Sequence, residues 1–351
     1  MTTLRRWRAA WLLMLAAVLA VAGTGCGGRP DGPTLTVYSA TGLSDWYRSQ
    51  FDRFTRETGI RVTLFEAGSG EVVSRVNSGV VWDGLSDAGP VAPADLLVTL
   101  PPFIQKAAKA GLLQPSGADT TGIPAEWVGP DGVYVPIANT ALCFIVNPAA
   151  DPPPRSWADL LDPRFAGKLQ YSTPGEAGNG TAVLVLLEHL MGKQGALDYL
   201  AKLQVNNVGP SSSTAALQPK VSSGELLVAN GDIQMNLDAI SKGSNFEIFF
   251  PAMPDGSRTT VPLPYVAGVT AATRWPEEAA RLLAFLLTDE AQSAVAEEAS
   301  GIPARDPIAG QPSGGMAPAR VLDGVTLWTP DWNVVLAELE SDIADYKDAI
   351  G

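Results

Sequence analysis

Apolar and polar positions along the chain switch between two periods. Leu35–Ser39 (LTVYS) predicts a first strand, and Leu43–Thr58 sets Trp46, Tyr47, Phe51 and Phe54 at helical spacing, closed by Gly59. Ile60–Glu66 (IRVTLFE) alternates as a half-buried strand does. The turn Ala67-Gly68-Ser69-Gly70 follows, and Glu71–Val76 opens another helix. This order of elements predicts an α/β unit with parallel strands. Asn77–Pro93 is glycine-rich and nonperiodic, with Trp82 in it, and reads as a surface loop. Asp95–Thr99 predicts a third strand and Pro101–Ala110 a helix started by two prolines. Tyr134–Val146 is one long β segment and Tyr265–Thr270 a shorter one; each is a candidate for a crossing between two lobes. Between them, Trp157–Leu161, Gln194–Leu203 and Ile233–Ile240 predict helices. Glu225–Ala229 and Phe246–Pro251 predict strands, and Asn230-Gly231-Asp232 a turn. Pro219 either starts a late helix or kinks an early one. Pro276–Leu287, Glu290–Ala299 and Val334–Ile350 complete the helices.

One stretch concentrates polar chemistry inside this pattern. In Lys168–Met191, a short strand (Leu169–Ser172) feeds a turn, Thr173–Gly180, that opens the apolar helical run Thr181–Met191, with Gly192 as its stop. Such a turn aims free backbone N–H groups and a positive helix end at one spot, which suits an anion. The device recurs in Ser39-Ala40-Thr41-Gly42, Gly68-Ser69-Gly70 and Ser211–Thr214. Each turn supplies neutral donors. Taken singly, each could equally be an ordinary helix cap.

The N-terminus changes the compartment. Arg5, Arg6 and Arg8 precede the apolar run Ala9–Ala22, which is short for a membrane span, and Gly23-Thr24-Gly25-Cys26 follows. Residues 1–25 therefore predict a secretory signal, with Cys26 at the position where a bacterial lipoprotein is cleaved and lipidated. Gly23 is an imperfect lipobox residue, and simple cleavage nearby is the alternative. Residues 26–33 are then a tether. At 351 residues and 46% hydrophobic content, the rest suffices for two lobes. The net charge of −13, without a basic stripe, argues against nucleic acid. Cys143 lies in an apolar run and predicts a small buried hydrophobe.

Enzyme chemistry finds little to stand on. His189 is the sole histidine and falls in an apolar run, so a triad or a catalytic cysteine lacks a base. No HxxxH, CxxC, GxxxxGK[ST] or GxSxG pattern occurs, and no metal site or cofactor is expected. A hydrolase built on paired carboxylates remains open on spacing alone.

The segments LTVYSATGLSDWYRSQFDRFTRETGIRV, YSTPGEAGNGTAVL, NNVGPSSSTAALQPKVSSGELLVANGD and LPYVAGV resemble solute-binding proteins of bacterial ABC importers. The similarity is to the 2-aminoethylphosphonate-binding branch of the group that also holds ferric-iron-binding proteins. SWADLLDPRF marks only the larger group. The resemblance implies an α/β, two-lobed periplasmic-binding-protein fold (type II, Venus-flytrap) with hinge crossings. Its implied lobes are 34–137 with 266–320, and 138–265, with 321–351 a C-terminal helix on the second lobe. The implied partners are a phosphonate zwitterion and an inner-membrane ABC permease, with the protein acting as a monomer. Ser39, Ser69, Ser172, Thr173, Asn179, Thr181, Ser211, Ser212 and Ser213 are the candidates to bind phosphonate. Asp232, and after it Glu176, is the candidate ammonium acceptor, with Tyr265 and Tyr38 lining the cleft. Asp232 could equally cap the helix Ile233–Ile240. Iron-binding relatives use adjacent tyrosines, and none of the seven here is next to another. Another small oxyanion, ferric iron, or a secreted organophosphonate hydrolase are the alternatives.

Overall fold

Strand β1 (Thr34–Ala40), buried from Leu35 on, lies between β2 (Arg61–Ala67) and β3 (Leu96–Thr99) and runs parallel to both. The structure, a computed structural model, describes residues 32–78, 93–305 and 317–351. The expected signal, Cys26, most of the tether and most of the Asn77–Pro93 loop lie outside the described residues. Parallel neighbours need a crossover, and α1 (Ser44–Thr58) supplies it between β1 and β2. Trp46, Tyr47, Phe51 and Phe54 form its buried stripe, each contributing roughly 1.5–3 kcal/mol by leaving water. Gly59 ends the helix in the left-handed region, with φ 75°, and returns its N–H to Thr55 O. Helix α2 (Ser69–Ser78) follows β2, and α3 (Phe103–Lys109) follows β3.

The predicted long segment 134–146 is two strands in two sheets. Among the described residues, the larger sheet has seven strands. Besides β1–β3 it holds β4 (Leu113–Gln114), β5 (Val135–Asn139), β11 (Tyr265–Thr270) and β12 (Ile302–Pro303), in the order β12-β5-β11-β3-β1-β2 with β4 on β11. The smaller sheet runs β7-β8-β6-β9, from β6 (Leu142–Val146), β7 (Leu169–Gln170), β8 (Val228–Asp232) and β9 (Glu247–Phe249), and β10 (Thr259–Thr260) forms a separate pair with β13 (Thr326–Leu327). Each sheet has its own core. Trp46, Phe54, Ile137 and Leu282 belong to that of the larger sheet, and Trp157, Phe165, Leu184 and Trp332 to that of the smaller.

Thr140–Ala141 carries the chain from one sheet to the other beside Val261–Leu263. Leu142 N donates to Val261 O at 2.9 Å, Leu263 N donates to Thr140 O at 2.8 Å, and Ala141 bridges Pro262. Two antiparallel crossings bonded to one another form a narrow joint between the two sheets, the form a hinge takes.

Other elements refine the sequence reading. Helix α4 (Gly178–Leu203) begins a turn before Thr181 and contains a break at Gly192, with φ 71° and ψ 160°. Pro219 sits in the first turn of a late helix, α5 (Gln218–Ser223). Asn230-Gly231-Asp232 is strand, because β8 is held between β6 and β7, and the pairing overrides turn propensity. Helix α6 (Ile233–Ser241) starts at once behind it. Helices α7 (Pro276–Leu286) and α8 (Asp289–Ala299) pack on the larger sheet. Helix α9 (Ala317–Val321) lies on α6, with Val321 and Leu322 packed against Cys143 and Ile233 of the smaller lobe. Helix α10 (Trp332–Ile350) packs on α4, where Tyr346 OH and Tyr171 OH meet at 2.9 Å. It also touches α3 of the opposite lobe.

Candidate functional site

The carboxyl ends of β1, β2 and β3 face those of β7 and β8 across the joint, the place where α/β sheets gather ligands. A hub forms there from Thr41, Gly68, Ser69 and Leu100 on one side. Gly178, Asn179, Ser213, Thr214 and Met235 face them from the other. Its free volume is about 20 Å³, room for one water. A larger cavity of about 390 Å³ opens at the rim, lined by Glu71, Lys106, Glu176 and Ser212. The Gly70 N to Glu176 O hydrogen bond, 3.0 Å, passes between the lobes at this boundary.

Helix α4 presents its N-terminus to the hub without a side-chain cap. Thr181 N returns to Ala177 O, so the N–H groups of Gly178, Asn179 and Gly180 are the free ones; none has a partner among the described residues. The turn that precedes them is tightly held. Gly175 N donates to Thr181 Oγ1 at 3.0 Å, and Ala177 N to Thr173 O at 3.0 Å. Gly180 lies so close to Ser172 O that a Cβ there would sit 2.1 Å away. Ser69, Ser212 and Ser213 make no side-chain hydrogen bond to another described residue, so their hydroxyls are available; Ser69 and Ser213 line the hub, Ser212 the rim. No Lys or Arg lines the hub.

Opposite in character is the layer behind Asn179. Asp232 is fully buried. Its Oδ1 caps α6 by accepting from Met235 N at 2.9 Å, with Thr140 Oγ1 at 3.3 Å. Its Oδ2 faces Asn179 Nδ2 at 3.4 Å and Tyr265 OH at 3.5 Å. Both are long bonds, and burial pushes the carboxyl up to about 6 against those weak compensations. Asn179 Oδ1, also buried, has no partner. Tyr265 OH donates to Thr41 O at 3.1 Å; this reach requires Gly42, with φ 150°, because a Cβ there would lie 2.0 Å from the hydroxyl. One carboxylate oxygen thus serves as a cap, and the other lies directly behind Asn179, which lines the hub.

The remaining sequence candidates are placed elsewhere. Ser39 donates to Ala40 O at 2.8 Å and meets Tyr47 OH at 3.0 Å, behind the hub. Ser172 Oγ accepts from Thr214 Oγ1 at 2.9 Å and Asn230 Nδ2 at 3.1 Å, and Thr173 Oγ1 accepts from Ser211 N at 2.8 Å. Ser211 Oγ donates to Ser213 O, and Thr181 Oγ1 to Ala177 O. These hydroxyls hold the turns in shape. Glu176 is exposed at the rim, Tyr38 packs on Phe65 in the core, and His189 stacks on Trp328 well down α4. Thr41, Thr214 and Leu100 were not singled out by the sequence, although the first two lie in turns it marked.

This division predicts two opposite phenotypes. Ser172→Ala strands the Thr214 hydroxyl and the Asn230 amide, and is expected to lower stability by about 1–3 kcal/mol. Ser69→Ala removes an unpartnered hydroxyl and should leave stability within about 0.5 kcal/mol. If Ser69 donates to a bound anion, the same change should cost roughly 10–100-fold in affinity. Thermal unfolding and calorimetric titration of both variants check the pair.

A two-lobed α/β fold, a double crossing and a donor-lined hub between the lobes define a solute-binding protein. The model of the bacterial extracellular solute-binding protein family matches residues 35–298, and the chain belongs to that family, whose members work outside the cytoplasm. It is 42% identical over 317 residues to the "Putative 2-aminoethylphosphonate-binding periplasmic protein" of Salmonella typhimurium, covering 88% of this chain and 90% of that one. Among solved structures, AfuA from Actinobacillus pleuropneumoniae superposes with a TM-score of 0.75 at 17% identity, over 90% of this chain and 98% of that chain. Iron-bound HitA from Pseudomonas aeruginosa gives 0.68 at 22% identity, over 90% and 99%. These two structures share the fold.

Proposed function

We propose that the protein captures 2-aminoethylphosphonate in the hub and hands it to a membrane ABC permease. The observation that carries this reading is the juxtaposition of opposite chemistries. Free N–H groups of α4 and the hydroxyls of Ser69 and Ser213 suit a phosphonate, and Asp232, 3.4 Å behind Asn179, suits an ammonium. The 42% identity to a protein named for this ligand supports it. In this reading the lobes are 34–137 with 266–305, and 138–265 with 317–351, and they part to admit cargo because the closed hub holds about one water. Neutral donors serve a carrier well, since cargo must leave again. Binding without turnover is the expected chemistry, and Cys26 the expected lipid anchor to the cell membrane.

Calorimetric titration with 2-aminoethylphosphonate, ethylphosphonate and phosphate tests the reading. The zwitterion should bind at least ~30-fold more tightly than ethylphosphonate, the worth of one charge-assisted contact. Equal affinities would remove Asp232 from the site and leave a plain oxyanion receptor.

A further inference from the structure

We propose that Gly68 is the residue that lets the lobes shut, because its missing side chain is the space into which the opposite lobe closes. A Cβ built on Gly68 would lie 2.3 Å from Ser212 O and 3.4 Å from Ser212 C, and would touch nothing else within 4 Å. Both atoms are backbone, so neither can swing aside. Ser212 belongs to the other lobe, in the turn pinned by the Thr173–Ser211 hydrogen bonds. The contact therefore exists only across the cleft. Gly68 also lies outside the left-handed region, so alanine is conformationally acceptable within its own lobe.

Two neighbours make the seam continuous. Gly70 donates its N–H to Glu176 O, and a Cβ on it would stand 2.6 Å from that oxygen. From the facing lobe, Gly178 would place a Cβ 2.8 Å from Leu100 Cβ and 3.0 Å from Ser69 Oγ. The backbones meet directly at this line, which separates the hub from the rim cavity. Gly70 also borders Phe103 of its own lobe at 3.0 Å, and a Cβ on Gly178 would meet the Ser69 hydroxyl as well as Leu100, so Gly68, whose Cβ would meet only Ser212 backbone, is the test position.

A methyl at 68 should wedge the cleft open while each lobe stays intact. The proposal rests on the hub being the ligand site, but its test does not depend on which anion binds. Wild type and Gly68→Ala are compared by small-angle X-ray scattering, ligand-free and with 2-aminoethylphosphonate, ethylphosphonate or phosphate. Thermal unfolding is measured beside them. The variant is expected to melt no lower than wild type, to keep a larger radius of gyration in at least one condition where wild type is compact, and to bind at least 10-fold more weakly. Equal radii in every condition, or a variant that melts well below wild type, would overturn it. Failure of the ligand assignment would appear separately, as no heat of binding of 2-aminoethylphosphonate to wild type.

Discussion

Replacing Asp232 by asparagine is expected to weaken capture of the zwitterion strongly and to leave the fold as stable as before, or more so. The carboxyl is fully buried and raised from 3.8 to about 6, so its charged form is disfavoured in the folded protein. A shift of that size corresponds to roughly 3 kcal/mol of stability withheld at neutral pH. The sign follows from the direction. Below the unfolded value of 3.8 the group is neutral in both states; as pH rises to about 6, the unfolded state ionises first and stability falls. Asparagine lacks this loss. It keeps the α6 cap, since its carbonyl can still accept from Met235 N. Once the Asn179 side-chain amide flips, the new amide can also donate to Asn179 Oδ1, which now has no partner. Chemical unfolding from pH 4 to 8 should therefore show the variant gaining on wild type up to about pH 6 and holding the advantage above it. Affinity for 2-aminoethylphosphonate should fall about 30–1,000-fold, the range for losing a buried charged partner. A buried carboxylate held at a stability cost is a common mark of function.

Asn179→Asp is expected to be more damaging to binding. It sits among the free N–H groups at the start of α4, where a carboxylate is locally welcome to the helix. Its side chain, however, lies 3.4 Å from Asp232 Oδ2. Two buried carboxyls at that distance share a proton, and any net charge there repels an incoming phosphonate. Affinity should drop more than about 100-fold at pH 7, since like charges in contact cost several kcal/mol. Stability should move with pH in an unusual direction, higher at pH 5 than at pH 7, because protonation relieves the pair. Denaturation at the two pH values, with titration at pH 7, checks both halves.

Much of the fold is legible in the sequence because it rests on local signals. Trp46, Tyr47, Phe51 and Phe54 announce α1 by spacing, and Gly59 its end. Ser172–Thr181 announces a turn feeding a helix, and that helix carries the free N–H groups of the hub. What stays hidden depends on partners far away in the chain. Nothing local breaks Tyr134–Val146 at Thr140; the break exists because β5 pairs with β11 and β6 with β8. The same holds for the hydroxyls. Ser172 and Ser69 look alike in sequence, yet Thr214 and Asn230 consume one and leave the other open. Gly68 reads as a turn residue, and its closeness to Ser212, from a turn far along the chain, is visible only in three dimensions.

The polarity of the hub is tested most directly by one calorimetric cycle of two proteins and two ligands. Wild type and Asp232→Asn are each titrated with 2-aminoethylphosphonate and ethylphosphonate, which differ in the amine. With Asp232 holding the ammonium, the variant loses affinity for the amine-bearing ligand and binds ethylphosphonate as wild type does. A loss of equal size for both ligands would contradict that assignment and return Asp232 to the role of a helix cap.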